Sequence, residues 1–250
     1  MNAALRATGI TKAWGGFVAN RDVNLELAVG ERHALIGPNG AGKTTFINLL
    51  TGVLEPTAGE VFIGEENVTR LAQHERVRRG MTRTYQITSL FPGLTVLESV
   101  VLAILEREGH ASRWWQPVSA HGAAAREARD LLDVLHLGAE ANKTTRNLAY
   151  GKQRLVEIAL ALATKPRILL LDEPAAGIPS AQSAEVFEVI AALPRDVTIL
   201  FIEHDMQIVF RFAERVSVLV SGALLTQGTP AEVANDARVK QVYLGEADHG

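Results

Sequence analysis

The run Gly37-Pro38-Asn39-Gly40-Ala41-Gly42-Lys43-Thr44 has the spacing of a phosphate-binding loop, GxxxxGK[ST]. Glycines at these positions let successive backbone N–H groups converge on phosphate oxygens, and a following helix adds the partial positive charge of its N-terminus. In that reading Lys43 bridges the terminal phosphates of a nucleoside triphosphate and the Thr44 hydroxyl ligates Mg²⁺, with Thr45 counted among the nucleotide-binding residues. The competing reading, an accidental glycine turn, is weakened by context. The apolar run His33-Ala34-Leu35-Ile36 precedes the loop and a helix-like stretch, Lys43 to Leu50, follows it.

Hydrolysis needs an acidic partner for the metal and for water, and Ile168-Leu169-Leu170-Leu171-Asp172-Glu173 ends a hydrophobic strand with two carboxylates. Asp172 would support Mg²⁺ and Glu173 would orient and polarise the attacking water. Adjacent carboxylates after a strand are also common as solvent-facing turns. Their pairing with a phosphate loop favours the catalytic role.

These residues must be positioned by a fold, and the chain of 250 residues, 47% of them hydrophobic, is long enough to bury a core of its own. Val23, Leu25, Leu27 and Val29 alternate with Asn24, Glu26 and Ala28, which predicts a half-buried strand in an N-terminal antiparallel sheet. From Thr95 to Thr164 the spacing turns helical, with Val96, Val100, Ile104, Leu131, Val134 and Leu135 as candidate buried positions. Strand–helix alternation then resumes: a strand at Ile168 to Leu171, a helix at Ala181 to Leu193, a strand at Thr198 to Ile202 and a helix at Met206 to Ala213. A hairpin around Ser221-Gly222 follows, then a short helix to Leu244. The alternation implies parallel strands covered by helices, an α/β class. The chain reads as one domain, with a core and β-subdomain over about 1–90 and 163–250 and a helical subdomain over about 91–162.

Composition excludes several function classes. No cysteine means neither a disulfide framework nor a thiolate metal site. A formal net charge of -3 gives no long-range attraction to nucleic acid, which is not expected as a partner. Met1 to Lys12 lacks the apolar core of a secretion signal, so the chain is not expected to be exported. The most apolar stretch, Val156 to Leu171, is interrupted by Glu157, Lys165, Pro166 and Arg167 and does not read as a membrane span. The cluster Arg76, Arg78, Arg79 and Arg83 reads as a solvated helix face, and Trp114-Trp115 as local packing. The histidines at 33, 74, 110, 121, 136 and 249 read as structural or merely exposed. His204 is set apart because it follows a strand that should neighbour the Asp172-Glu173 strand, at the sheet edge where ligands gather.

With these motifs in this order, the sequence resembles the ATP-binding subunits of ABC transporters along nearly its whole length. The resemblance implies an ABC-type P-loop ATPase domain with a RecA-like core, an N-terminal antiparallel β-subdomain and an inserted helical subdomain. It also implies ATP and Mg²⁺ as ligands. Trp14, before Gly15-Gly16, matches the aromatic residue that stacks on adenine, although unaided a core tryptophan would be the better reading. Gln86 matches the glutamine that senses Mg²⁺ and water and faces the membrane subunits, and His204 matches the histidine that contacts the γ-phosphate. Leu148-Ala149-Tyr150-Gly151-Lys152 occupies the signature position, which completes the nucleotide site of a partner subunit.

Within that family the sequence is most similar to ATPases of branched-chain amino-acid importers. The segments that carry the likeness are Trp14 to Ala19, Thr82 to Gln86, Leu148 to Gly151, Asp172 to Gly177 and Val242 to Gly245. Related importers carry urea, amides or aromatic acids. The implied partners are two transmembrane permease subunits, a second ATPase subunit (a heterodimer more than a homodimer) and, indirectly, an extracytoplasmic substrate-binding protein. The implied location is the cytoplasmic face of the cell membrane. Two rivals are an ABC ATPase without a transporter and a nucleotide-gated interaction subunit that barely hydrolyses ATP.

The sequence also departs from the family pattern. LSGGQ becomes Leu148-Ala149-Tyr150-Gly151-Lys152, which lacks the serine hydroxyl expected to touch the partner's γ-phosphate. Lys152, Leu155 and Leu160 differ from related sequences, and Pro179 stands where an Asp or Asn is usual. The departures bear on the opposite nucleotide site and leave the chain's own ATP site intact.

Overall fold

The computed structural model describes residues 3–84, 91–110 and 120–245. In chain order it begins with β1 (Ala3–Trp14), β2 (Phe17–Ala28), β3 (Arg32–Ile36), α1 (Lys43–Thr51), β4 (Ala58–Ile63), β5 (Glu66–Asn67), α2 (Gln73–Arg78) and β6 (Met81–Arg83). Three helices follow, α3 (Val96–Arg107), α4 (Gly122–Val134) and α5 (Tyr150–Leu162). The alternating part consists of β7 (Ile168–Asp172), α6 (Ser180–Ala191), β8 (Thr198–Ile202) and α7 (Met206–Phe212). A hairpin of β9 (Arg215–Val220) and β10 (Ala223–Gly228) leads into α8 (Pro230–Asn235) and α9 (Ala237–Gly245).

Two compact units result. The first comprises 1–81, 167–173 and 194–250, and the second 82–166 and 174–193, so that α6 groups with the helical part. In the first unit an antiparallel sheet has the order β2-β1-β4-β5, and the second sheet has the order β10-β9-β3-β8-β7-β6. β9, β3, β8 and β7 run parallel. Every residue of β3 and β8 is buried, as expected of central parallel strands covered on both faces. The N-terminal strand behaves as its alternation predicts over Val23, Leu25 and Leu27, which are buried, while Val29 lies beyond the strand and is exposed. The two sheets and α1 share one apolar core, with Leu5, Leu27, Leu35, Phe46, Leu170 and Leu200 among its members.

In the second unit α3 starts at a capping box. Thr95 accepts from the Glu98 N–H, and the Glu98 carboxylate accepts from the Thr95 N–H at 2.7 Å. Val96, Val100 and Ile104 are buried as predicted. Val134, expected in the core, is 53% exposed. The buried face of α4 runs through Ala124, Ala128 and Leu132 to Leu135, at helical spacing, and Val134 falls off that stripe.

Arg76 corrects the reading of the arginine cluster as a solvated face. Its guanidinium is buried and donates to the carbonyls of Leu49 (2.8 Å), Leu50 (2.5 Å), Thr69 (2.8 Å) and Leu71 (3.0 Å). Leu49 and Leu50 end α1, so the cation sits where that helix presents its negative pole. Burial pushes its pKa down to about 10, which still leaves it charged at neutral pH. His33 keeps its structural reading: it is fully buried between Glu31 and Ser217, each 2.7 Å away. Arg76→Met is expected to lower the unfolding free energy by about 3 kcal/mol, because several buried carbonyls lose their donor at once. Urea denaturation measures the change, and a wild-type midpoint would show that water replaces the guanidinium at no cost.

Candidate functional site

The phosphate loop leaves the C-terminal end of β3 and enters α1 at Gly42, which is the N-cap with φ 95°. A Cβ at that position would come within 2.5 Å of the Ala19 carbonyl oxygen and 2.8 Å of Asn20 Nδ2, so only glycine fits. No side chain caps α1 and no acidic residue lies in its first turn, so the positive pole of the helix carries no countercharge from its own first turn, an arrangement that suits an anion. The loop is braced from outside by the hairpin turn at Ser221-Gly222, where the Gly222 N–H donates to the Ala41 carbonyl at 3.0 Å. Lys43 is buried and folds back over the loop, donating to the carbonyls of Gly37 at 2.6 Å and Pro38 at 3.0 Å. An arriving phosphate offers that ammonium a charged acceptor in place of neutral ones.

The acidic pair reaches the same edge through sheet register. Leu35 of β3 lies opposite Ile202 of β8, and Ile202 lies opposite Asp172 of β7. The residues that follow these strands therefore emerge side by side at their C-terminal ends, the usual ligand edge of a parallel sheet. Glu173 is held there at φ 48° by its N–H bond to the Ile202 carbonyl at 3.1 Å. Positive φ is strained for a residue with a Cβ, and such strain concentrates at functional positions. Glu173 Oε1 accepts a 2.6 Å hydrogen bond from His204 Nε2, and the His204 N–H in turn donates to the buried Glu203 carboxylate at 3.2 Å.

Trp14, Asn39 to Thr45, Glu173 and His204 line one cleft of about 540 Å³, a size suited to a small-molecule ligand. Phe17, Val18, Ala19, Ser221 and Gly222 complete it. The sequence reading missed Phe17, although Gly15-Gly16 between two strand-like runs is a hairpin signal that sets residue 17 opposite residue 14. Gln86 lies outside the described residues, as do Trp114 and Trp115. Among the described residues no group of three or more His, Cys, Asp and Glu forms a metal cage. The Thr44 hydroxyl, exposed in the cleft, and the half-buried Asp172 carboxylate at the end of β7 are hard oxygen donors. They fit Mg²⁺, which takes few protein ligands and completes its shell with phosphate and water.

The signature residues lie in the second unit. Leu148 and Gly151 are buried, Tyr150 is exposed, and Ala149 is the N-cap of α5 without a side-chain bond. Arg154 supports the tyrosine: its guanidinium carbon lies 5.2 Å from the ring centre, Nη2 donates to Tyr150 Oη at 3.1 Å and Nη1 to Glu157 at 2.9 Å. Burial pushes the Glu157 carboxyl up. Lys152 pairs with Glu185 at 3.1 Å, and Pro179 is the N-cap of α6.

A parallel sheet with a phosphate loop, two carboxylates and a histidine at one edge defines a nucleoside-triphosphatase. The ABC transporter family matches residues 20–176, and a second match, to the branched-chain amino acid ATP-binding cassette transporter, covers 223–249. The chain is 40% identical to the high-affinity branched-chain amino acid transport ATP-binding protein LivG of Escherichia coli K12, over 97% of this chain and 98% of that one. It is 37% identical to the lipopolysaccharide export system ATP-binding protein LptB of Acidithiobacillus ferridurans, over 98% of each. The solved ADP conformation of MJ1267, an ATP-binding cassette of an ABC transporter, superposes with a TM-score of 0.85 at 28% identity, over 98% of this chain and 99% of that one. The chain belongs to the ABC transporter family and is its ATP-hydrolysing cassette.

The strain at Glu173 can be isolated from the loss of its carboxylate. Glu173→Gly is expected to be more stable than Glu173→Ala by about 1 kcal/mol in urea titrations, since both lack the acid but only alanine keeps a Cβ at positive φ. Equal stability would mean that the backbone there is unstrained.

Proposed function

We propose that this cassette hydrolyses ATP to energise uptake of branched-chain amino acids or chemically related small molecules. The observation that carries the reaction is the cleft in which the phosphate loop, Glu173 and His204 meet. The cargo class is supported by the match over residues 223–249 and by the relatives named for branched-chain amino acid transport. Identity across the cassette does not choose the cargo alone, since the lipopolysaccharide-export relative is almost as similar.

In this reading the N–H groups at the start of α1 and the Lys43 ammonium hold the β- and γ-phosphates, and Trp14 takes the base. Mg²⁺, bound to the nucleotide and held through Thr44, Gln86 and Asp172, would neutralise charge on the transferring phosphoryl group. Water attacks the γ-phosphorus in line, and Glu173 accepts its proton. His204 Nε2–H, now spent on Glu173, is the donor that turns to the γ-phosphate when nucleotide arrives, which frees the carboxylate for water.

Leu148, Ala149, Tyr150 and Gly151 serve the nucleotide of a second ATPase subunit, a heterodimer being the favoured arrangement and a homodimer the alternative. Two transmembrane permease subunits couple closure of that pair to transport, and an extracytoplasmic binding protein delivers the cargo. Among the described residues no helix is long and apolar enough to cross a membrane. The cassette works at the cytoplasmic face of the membrane, attached through the permeases.

Glu173→Gln keeps the shape of the side chain and removes its basicity. In vesicles holding the assembled transporter it is expected to bind ATP, to hydrolyse it about 10²–10⁴-fold more slowly and to lose leucine, isoleucine and valine uptake. Wild-type turnover would assign water activation elsewhere, and wild-type hydrolysis with no amino-acid uptake in the unmutated complex would refute the cargo class.

Ala149→Ser is expected to raise ATPase activity in that complex while leaving ATP binding by the isolated chain unchanged, because the hydroxyl faces the partner's phosphate. A serine N-cap should also stabilise the isolated chain by about 1 kcal/mol. A fall in activity would show that the alanine is tuned to this cassette.

A further inference from the structure

The hairpin at the head of the cleft carries a ring that the phosphate-loop chemistry leaves unused. β1 and β2 are joined by Gly15-Gly16 alone, with Gly15 at φ 58° as a two-residue II′ turn requires, and the register pairs Trp14 directly with Phe17. Directly opposed residues project from the same face of a ribbon. The two rings lie within 12° of parallel, with centroids 6.5 Å apart. That spacing is near the outer limit of roughly 4.5–7 Å for paired rings, so each ring covers little of the other's face. Trp14 is 46% exposed and Phe17 66% exposed. Two large apolar rings left open beside a polyphosphate loop are disfavoured in water unless a ligand covers them.

Their surroundings suit a flat aromatic ligand. Both rings line the phosphate-loop cleft together with the small apolar side chains of Val18 and Ala19. Lys12, whose ammonium donates to the Glu55 carbonyl at 2.6 Å, lies 5.4 Å from the centre of the Trp14 ring and helps to fix it.

We infer that Phe17 is a second base-contacting residue, so that Trp14 and Phe17 together present two near-parallel aromatic faces to the nucleobase of ATP. The inference rests on the assignment of Trp14 to the base under the proposed function. Stacking reads the area of a π-face and not its edge, so the pair favours purine over pyrimidine nucleotides. Phe17 is thereby a specificity-determining residue with no part in the phosphoryl transfer itself.

Calorimetric titration of the full chain with ATP, CTP and inorganic tripolyphosphate, each with Mg²⁺, tests this in wild type, Phe17→Ala, Phe17→Leu and Trp14→Ala. Phe17→Ala is expected to weaken ATP binding about tenfold, to narrow the preference for ATP over CTP and to leave tripolyphosphate affinity unchanged. Phe17→Leu, apolar but without a ring face, should share most of the loss, and wild-type affinity in that variant would overturn stacking. Undiminished ATP binding by Phe17→Ala, while Trp14→Ala weakens it, would remove Phe17 from the base site and leave Trp14 there. If Trp14→Ala also spares ATP, the base assignment fails and the inference falls with it. An equal loss of tripolyphosphate binding in Phe17→Ala would mean that the side chain acts through the fold of the hairpin, which also overturns the proposal.

Discussion

The parallel register of β3, β8 and β7 is the constraint on which the chemistry depends. With Leu35 opposite Ile202 and Ile202 opposite Asp172, three strand ends are level, and a shift by one residue in any of them would separate the groups that must meet. Such a shift would also exchange the side chains packed on the two covered faces of a fully buried strand, and the misfit in a close-packed core opposes it. Register holds Glu173 as well. Its N–H bonds to the carbonyl of Ile202, the residue that faces Asp172, and this bond keeps the chain at positive φ where the carboxylate can reach His204.

The helix proposed to bind phosphate, α1, is served differently at its two ends. At its start, glycine stands in place of a capping side chain and the first turn carries no acidic residue. At its end, the Arg76 guanidinium takes the carbonyls of Leu49 and Leu50, while Gly52 adopts φ 77° and gives its N–H to Leu49. A charge of the sign that suits the C-terminal pole is thus built in, and in the proposed function the nucleotide supplies the charge that suits the N-terminal pole. In that reading the fold carries one half of this arrangement at all times and obtains the other when nucleotide binds.

Much of this was legible in the sequence wherever the determining interactions are local. The phosphate loop, the strand before Asp172 and the strand Thr198 to Ile202 follow from spacing and apolar runs, and the structure places them where the patterns did. Val134 was misplaced because the phase of α4 is set by alanines, Ala124 and Ala128, which a search for large apolar residues passes over. Arg76 was misread for a different reason: its partners lie in α1 and in the segment before α2, and nothing in the neighbouring arginines marks it as the one turned inward. His204 was legible only through its place after β8. No sequence pattern predicts its 2.6 Å bond to a residue thirty-one positions earlier.

The same physics applies to the loop proposed to serve a partner's nucleotide. α3, α7 and α8 close their first turns with Thr95, Asp205 and Thr229, whose side chains occupy N–H groups that would otherwise be open. α1 and α5 do not, and in both the first turn carries no acid. α4 and α6 are likewise without a side-chain cap, so the absence of a cap is no marker of a phosphate site by itself. What separates α5 from those two is the family position of its N-terminus. In the proposed dimer a missing serine there has two opposed effects: it withdraws one hydroxyl from the partner's phosphate, and it leaves the Gly151 and Lys152 N–H groups without a competing side-chain acceptor from position 149. In the proposed closed pair the hydroxyl would turn outward to phosphate and the first effect dominates, whereas in the isolated chain a serine there is free to cap its own helix and only the second is felt.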